Sequence, residues 1–384
     1  MEGGNMDNLK LKKIRHRKSE RGSVLATAAL GMLSFILAVG LGVDVSHLYL
    51  AKNELQNAAD AAALAGASGL NYQSSGIAVA TKRATDEMNS YQFENTKVVF
   101  KPLNVRFARN LSDFANGTDM DQVSASGAAP EIKFVKVTTP QSPVGIAFVS
   151  MVLGNSVNLW AEAVAGVSVP LNQFAGYLPV SVVCDATCTS LVPKQMYTFR
   201  GGPQGSVAPG NYQVLAIDGS GASDDRIGLA SGVKNIVGPG GYVDTKPGVS
   251  AGAVRQGINT RFDDYASQLD PVNFPPDTNI KEGINFEEYS DANGEKQPPS
   301  NDGVASRRVV LIPIVKASEF SGGRTRVQID HFGAFFLSSK VQGGNGGDLQ
   351  AEYIGVGVVV GNGEYDPTGT TNPGPPITKP VLYR

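Results

Sequence analysis

The chain has 384 residues, of which 41% are hydrophobic and 18% charged, with a net charge of −2. That length exceeds one typical domain, while a hydrophobic share ordinary for globular material limits any membrane part to a single span on a folded body. Forty-five Gly and twenty-two Pro imply many turns and short strands, and three histidines exclude a histidine-rich metal centre.

Charge is concentrated at the start. Residues 1–21 hold Lys10, Lys12, Lys13, Arg15, Arg17, Lys18 and Arg21 against three acids, a local +4 that leaves −6 for the rest. Val24 to Val43 then runs twenty residues without a charge or a proline. At 1.5 Å per residue a helix of that length covers about 30 Å, the hydrocarbon thickness of a bilayer. A basic flank beside the only span stays cytoplasmic, so the chain beyond it is exported. A nucleic-acid arm is the competing use of such a flank. A cleaved leader is the competing use of the span, with small residues at Ala38-Val39-Gly40. Leader cores, however, run about 7–15 residues, and this one continues as helix without a break.

Asp44 ends the apolar run, but the next residues are dense in Ala and Leu and carry no proline, so one helix runs on to about Leu70. Ala38, Gly42 and Ser46 recur every fourth residue, a spacing that lets a second helix approach closely in lipid. Ala58, Ala62 and Ala65 continue a shallow stripe beside Leu48 and Leu55. Asp60 either orients a partner or faces water, and Asp44 marks the membrane exit.

Gly76–Tyr91 reads as a second amphipathic helix, with Ile77, Ala80, Ala84 and Met88 on one face. Lys97–Phe107 and Ile132–Thr138 alternate as half-buried strands, Pro143–Leu153 reads as a short buried helix, and Val157–Val169 returns as a strand. These imply an α+β domain over residues 44–170. Residues 171–384 read as a Gly-rich, mainly-β domain, with strands at Gln213–Ile217, Arg308–Val315, Thr325–Leu337 and Tyr353–Val360. Ser250 is placed to cap a helix carrying Val254, Ile258 and Phe262. Pro271–Ser306 is polar with scattered prolines and reads as a long exposed loop.

Few residues suggest chemistry. Cys184 and Cys188 are the only cysteines; outside the cytoplasm they form a local disulfide or stay as free thiols, and zinc would need two further ligands. His331 lies in a strand-like HFGAFF, so a catalytic triad in the exported part would have to use it. Asp218, Asp224 and Asp225 invite a calcium site but miss the EF-hand spacing, and an Asx-type turn with solvated acids accounts for them instead. Gly201-Gly202 and Gly238-Pro239-Gly240-Gly241 read as turns, lacking the phosphate-loop pattern. No cofactor is expected.

Glu20-Arg21-Gly22-Ser23-Val24, the apolar span and GLGVDVSHLYLAKNELQNAADAAALAGA together resemble the N-terminal Tad domain of TadE/TadG-like proteins. Leu55–Ala65 is the most specific part. NYQVLAIDGSG, GYVDTKPG before GINTRF, and RVVLIPIV before HFGAFFL are similar, more weakly, to the outer portion of such proteins. The resemblance implies a single-pass inner-membrane protein with its body in the periplasm, assembling Flp pili without catalysis. Its partners would be the membrane, other Tad/Flp proteins and further copies of itself, and no nucleic acid. Gly22 is followed five residues on by Thr27, where prepilin-peptidase substrates carry Glu, which favours an anchored protein over a cleaved pilin subunit. An exported adhesin and a membrane-anchored hydrolase are the alternatives.

Overall fold

The computed structural model describes residues 20–86, 92–93, 96–148, 150, 154–189, 191–200, 211–219, 221–248, 250–266, 268–343 and 348–383. Most of the basic flank and Gly201-Gly202 lie outside these residues. One unbroken helix, α1 (Glu20–Ala67), contains both the apolar span and the alanine-rich segment. By contact density the chain forms two units, residues 1–54 with 141–159, and residues 55–140 with 160–384.

In the first unit the non-helical element is a hairpin, Ser142–Gly145 antiparallel to Ser156–Leu159. Pro143–Gly145 is therefore strand, where the apolar run predicted a helix. An apolar run of this length does not separate the two by periodicity alone, and here the pairing partner decides. Residues 149 and 151–153 of that run lie outside the described residues.

The second unit opens with the outer half of α1. Leu55, Ala58, Ala59, Ala62, Ala63 and Ala67 are fully buried, one stripe at three- and four-residue spacing. A turn at Gly69–Gln73 leads into α2 (Ser74–Thr85). The two helices cross where side chains are smallest: a Cβ on Gly69 would lie 2.7 Å from the Ala80 backbone, and one on Gly66 would lie 3.3 Å from Ala84 Cβ. Beside them lies an antiparallel sheet of β1 (Val105–Ala108), β2 (Phe134–Thr138) and β3 (Glu162–Val167). Its fourth strand is the end of the chain, Pro380–Tyr383, paired with β3. The chain thus returns across the boundary expected near residue 170. The strand predicted over Val157–Val169 is broken at Trp160, and that over Lys97–Phe107 is short because Pro102 starts a 3-10 turn.

The larger sheet has seven strands, β4 (Val182–Cys184), β5 (Met196–Arg200), β6 (Asn211–Ala216), β7 (Tyr242–Pro247), β8 (Val309–Lys316), β9 (Arg326–Phe336) and β10 (Leu349–Tyr353). β8 and β9 form its centre, antiparallel from Val309↔Phe336 to Val315↔Ile329. Alternation sends Val310, Ile312 and Ile314 to the face covered by Leu229, Val254 and Ile258, on α3 (Ala222–Ser231) and α4 (Ala251–Asn259). Leu311, Phe332 and Phe336 face Phe174 and Tyr177 on the other side. α4 is present as expected with Ser250 at its N-cap position, but the Ser250 side chain makes no capping bond: its φ is +37° and its hydroxyl donates to Asp225 at 2.9 Å. Architecture is α+β throughout.

Candidate functional site

Along the inner half of α1 the apolar side chains point outward on every face: Leu25 is 76% exposed, Met32 72% and Phe35 70%. A helix apolar all round is stable in a protein core or in lipid, and within this chain the segment is not in a core. Ten Val, Leu, Ile and Phe residues lie between Val24 and Val43. At about −0.3 to −0.6 kcal/mol each, they favour insertion by about 3–6 kcal/mol. Its hydroxyls are bonded within the helix, Ser34 Oγ to the Leu30 carbonyl at 2.8 Å and Ser46 Oγ to the Gly42 carbonyl at 2.7 Å. Hydrocarbon requires such internal satisfaction.

The small-residue face divides into two parts. Ala38, Gly42 and Ser46 are exposed, whereas Ala58 and Ala62 are enclosed by their own chain and present no surface to a neighbour. Asp60 accepts from Gln56 Nε2 at 2.8 Å, and Gln56 also donates to the Glu162 carbonyl at 2.9 Å, so Asp60 serves an internal contact with β3. Asp44, expected to mark a membrane exit, also has a structural role. It is buried, and its carboxylate accepts the backbone N–H of Ala147 at 3.0 Å and of Phe148 at 2.8 Å.

Behind the outer half of α1, polar side chains fix the following loops. Arg83 of α2 donates to the Ser68 carbonyl at 2.8 Å, to Ser68 Oγ at 3.0 Å and to Ser306 Oγ at 2.8 Å. Burial lowers its pKa, with Tyr289 and Asp277 acting in the opposite direction. Nearby, Asp277 is fully buried and accepts from Tyr289 Oη and from the backbone N–H of Asn279 and Arg308. Burial outweighs those donors and raises the Asp277 carboxyl above the usual range. Arg308, also fully buried, donates to the carbonyls of Leu337, Asn279, Lys281 and Ser338. Its guanidinium lies 4.7 Å from the Phe262 ring centre and 4.6 Å from that of Phe336. The segment predicted as an exposed loop, Pro271–Ser306, is thus pinned at Asp277 and carries a short helix, Phe286–Ser290. No sequence signal beyond an Asp in a polar loop and an Arg at the start of an apolar strand marked this keystone.

The other candidate residues have local structural partners. Cys184 and Cys188 form a disulfide. Asp218 accepts the backbone N–H of Lys234 and Asn235, Asp224 accepts that of Gly221, and Asp225 pairs with Lys246 and Ser250. Asp225 is buried, so these acids are not all solvated, and among the described residues no group of three metal-ligating side chains gathers. His331 Nδ1 lies 2.8 Å from Asp330, whose other oxygen is 3.1 Å from Lys316 Nζ.

Residues 22–69 match the Tad family model, described as "Putative Flp pilus-assembly TadE/G-like", the family that residues 20–70 resemble. The match ends two residues beyond the end of α1. No curated protein and no solved structure matches the chain.

Proposed function

We propose that the chain is a single-pass component of a Flp pilus-assembly apparatus, anchored in the inner membrane by Val24–Val43. It is oriented with its basic flank in the cytoplasm and its body outside, and acts by protein contacts rather than catalysis. The observation that carries this is the outward-facing apolar surface of inner α1, lying within the segment that matches the pilus-assembly family. Partner helices would meet it along Ala38, Gly42 and Ser46, the small residues left exposed, in the manner of small-residue packing in lipid.

Two measurements test this. Alkaline-phosphatase fused after residue 170 is expected to be active in intact cells, with the chain retained in membranes after carbonate extraction; a cytosolic reporter sinks the topology. Gly42→Leu is expected to reduce in-membrane cross-linking to neighbouring pilus proteins and piliation, while leaving chain abundance unchanged. Unaltered cross-linking and piliation would remove the packing face.

A further inference from the structure

The hairpin of the first unit carries no charged residue from Gln141 to Leu159. Pro143 and Ala147 are exposed, and Phe148 keeps 47% of its surface open. The height of this tip is fixed by two contacts on α1. Asp44 takes the N–H groups of Ala147 and Phe148. One turn further in, Gly40 leaves room for the Phe148 side chain, since a Cβ there would stand 2.4 Å from Phe148 Cγ. Gly40 belongs to the apolar run, and four residues of helix put it about 6 Å inward of Asp44.

Described backbone groups at this end of the hairpin also have internal acceptors. Ile146 N–H donates to the Asn155 carbonyl at 3.2 Å and Gly154 N–H to the Ser150 carbonyl at 3.0 Å. Ser150 Oγ donates to the Ala147 carbonyl at 3.0 Å. With the two donors held by Asp44, four N–H groups around the tip have internal acceptors. A loop in water gains little from this, because solvent would serve; hydrocarbon or its boundary demands it, at several kcal/mol per unmet group. An exposed Phe beside such a backbone suits the same place.

We propose that Ala147 and Phe148, at the described end of this hairpin, insert into the outer leaflet of the bilayer beside the span, with Asp44 as the built-in acceptor that lets them leave water. Lipid acyl chains are its occupant. The chain then meets the membrane at two points, which restrains rotation of α1 about its axis and orients the Ala38–Gly42–Ser46 face. The inference rests on the assignment of Val24–Val43 as a membrane span.

The test uses the full chain in lipid vesicles without partners. Trp160 is the sole tryptophan, so Trp160→Phe gives a silent background for single reporters. These are Phe148→Trp, Ala147→Trp as a second tip position, Leu33→Trp within the span and Tyr242→Trp on the body. With lipids brominated in the upper acyl chain, the two tip reporters are expected to lose fluorescence as Leu33→Trp does, while Tyr242→Trp keeps its signal. Adding Asp44→Ala is expected to reduce quenching at the tip and leave Leu33→Trp unchanged; undiminished quenching refutes the role given to Asp44. Were Leu33→Trp unquenched, the span assignment itself would fail. Should Leu33→Trp be quenched and both tip reporters be quenched instead by aqueous iodide, the tip lies in water and the proposal is overturned. Tip reporters reached by neither quencher would place a protein surface over the tip, which overturns it equally.

Discussion

Replacing Arg308 by Met tests whether the Pro271–Ser306 segment is held from inside. Arg308 is fully buried and its guanidinium serves four carbonyls. Two of those bonds, to Leu337 and Asn279, join fully buried groups, and the other two are partly reached by solvent. Each buried acceptor left unmet costs about 1–3 kcal/mol, and loss of the ring contacts with Phe262 and Phe336 adds about 1 kcal/mol. Met recovers part of this through packing, so the expected net loss is about 4 kcal/mol. For a unit of this size that is a fall in Tm on the order of 10 °C. Arg308→Lys, which keeps a charge but not the planar fork, is expected to lose about half as much. The assay is thermal unfolding of the full chain in detergent, paired with limited trypsin digestion followed by mass spectrometry. If Arg308 anchors the segment, cleavage after Lys281 and Lys296 accelerates in Arg308→Met under conditions where the rest of the body resists. A Tm within about 2 °C of the parent and an unchanged digestion pattern would refute the reasoning.

Three further expectations follow from named contacts. The Cys184–Cys188 disulfide closes only a local loop, so reducing it, or replacing both residues by Ser, is expected to destabilise by about 2 kcal/mol; a loss large enough to unfold the chain at 37 °C (about 5 kcal/mol) would give the bond a wider role. Although burial pushes the Asp330 carboxyl up, hydrogen bonds from His331 and Lys316 outweigh it and leave its pKa below the usual range. A depressed folded-state value stabilises above the unfolded pKa of about 3.9 and is lost as pH falls through the folded one. Asp330→Asn should therefore lower Tm at pH 7, and the gap should close under acid titration; a gap constant with pH would exclude the mechanism. Leu33→Arg puts a charge at the middle of the span at a cost of about 2.5–3.5 kcal/mol, comparable to the whole insertion preference worked out above. Carbonate extraction should then release the chain or find it degraded, and full membrane retention would count against Val24–Val43 as the anchor.

How much of this was legible depended on the range of the interaction concerned. The inner helix declares itself because a continuous apolar run is a property of neighbouring residues, and no distant partner is needed to interpret it. The alanine stripe showed that one face of outer α1 is covered, but periodicity names the covered face and not its cover. Ala58 and Ala62 pack inside their own chain, a fact held jointly with α2 and the β1–β2–β3 sheet. The same limit governs Pro143–Gly145, whose strand character comes from Ser156–Leu159 opposite it. Ser250 has the composition of a cap, yet Asp225, twenty-five residues earlier in sequence, takes its hydroxyl. At Asp277 the local sequence says polar loop and Arg308 reads as the first residue of a strand, and only their meeting across 31 residues turns both into core.

That division also narrows how neighbours could be recognised. Had the whole Ala38–Ala62 face been open, a partner could have approached from either the membrane or the outer compartment. With Ala58 and Ala62 buried and Asp60 bonded to Gln56, the outer half of α1 is already occupied by its own body. The small-residue face that remains is the four-residue repeat Ala38, Gly42 and Ser46, and two of its three members stand inside or at the edge of the apolar run. Close packing there requires a helix at membrane depth. A soluble partner would have to use other surfaces of the body, so under the proposed anchoring the contacts of this chain separate physically into those α1 would make in lipid and those the sheets would make in water.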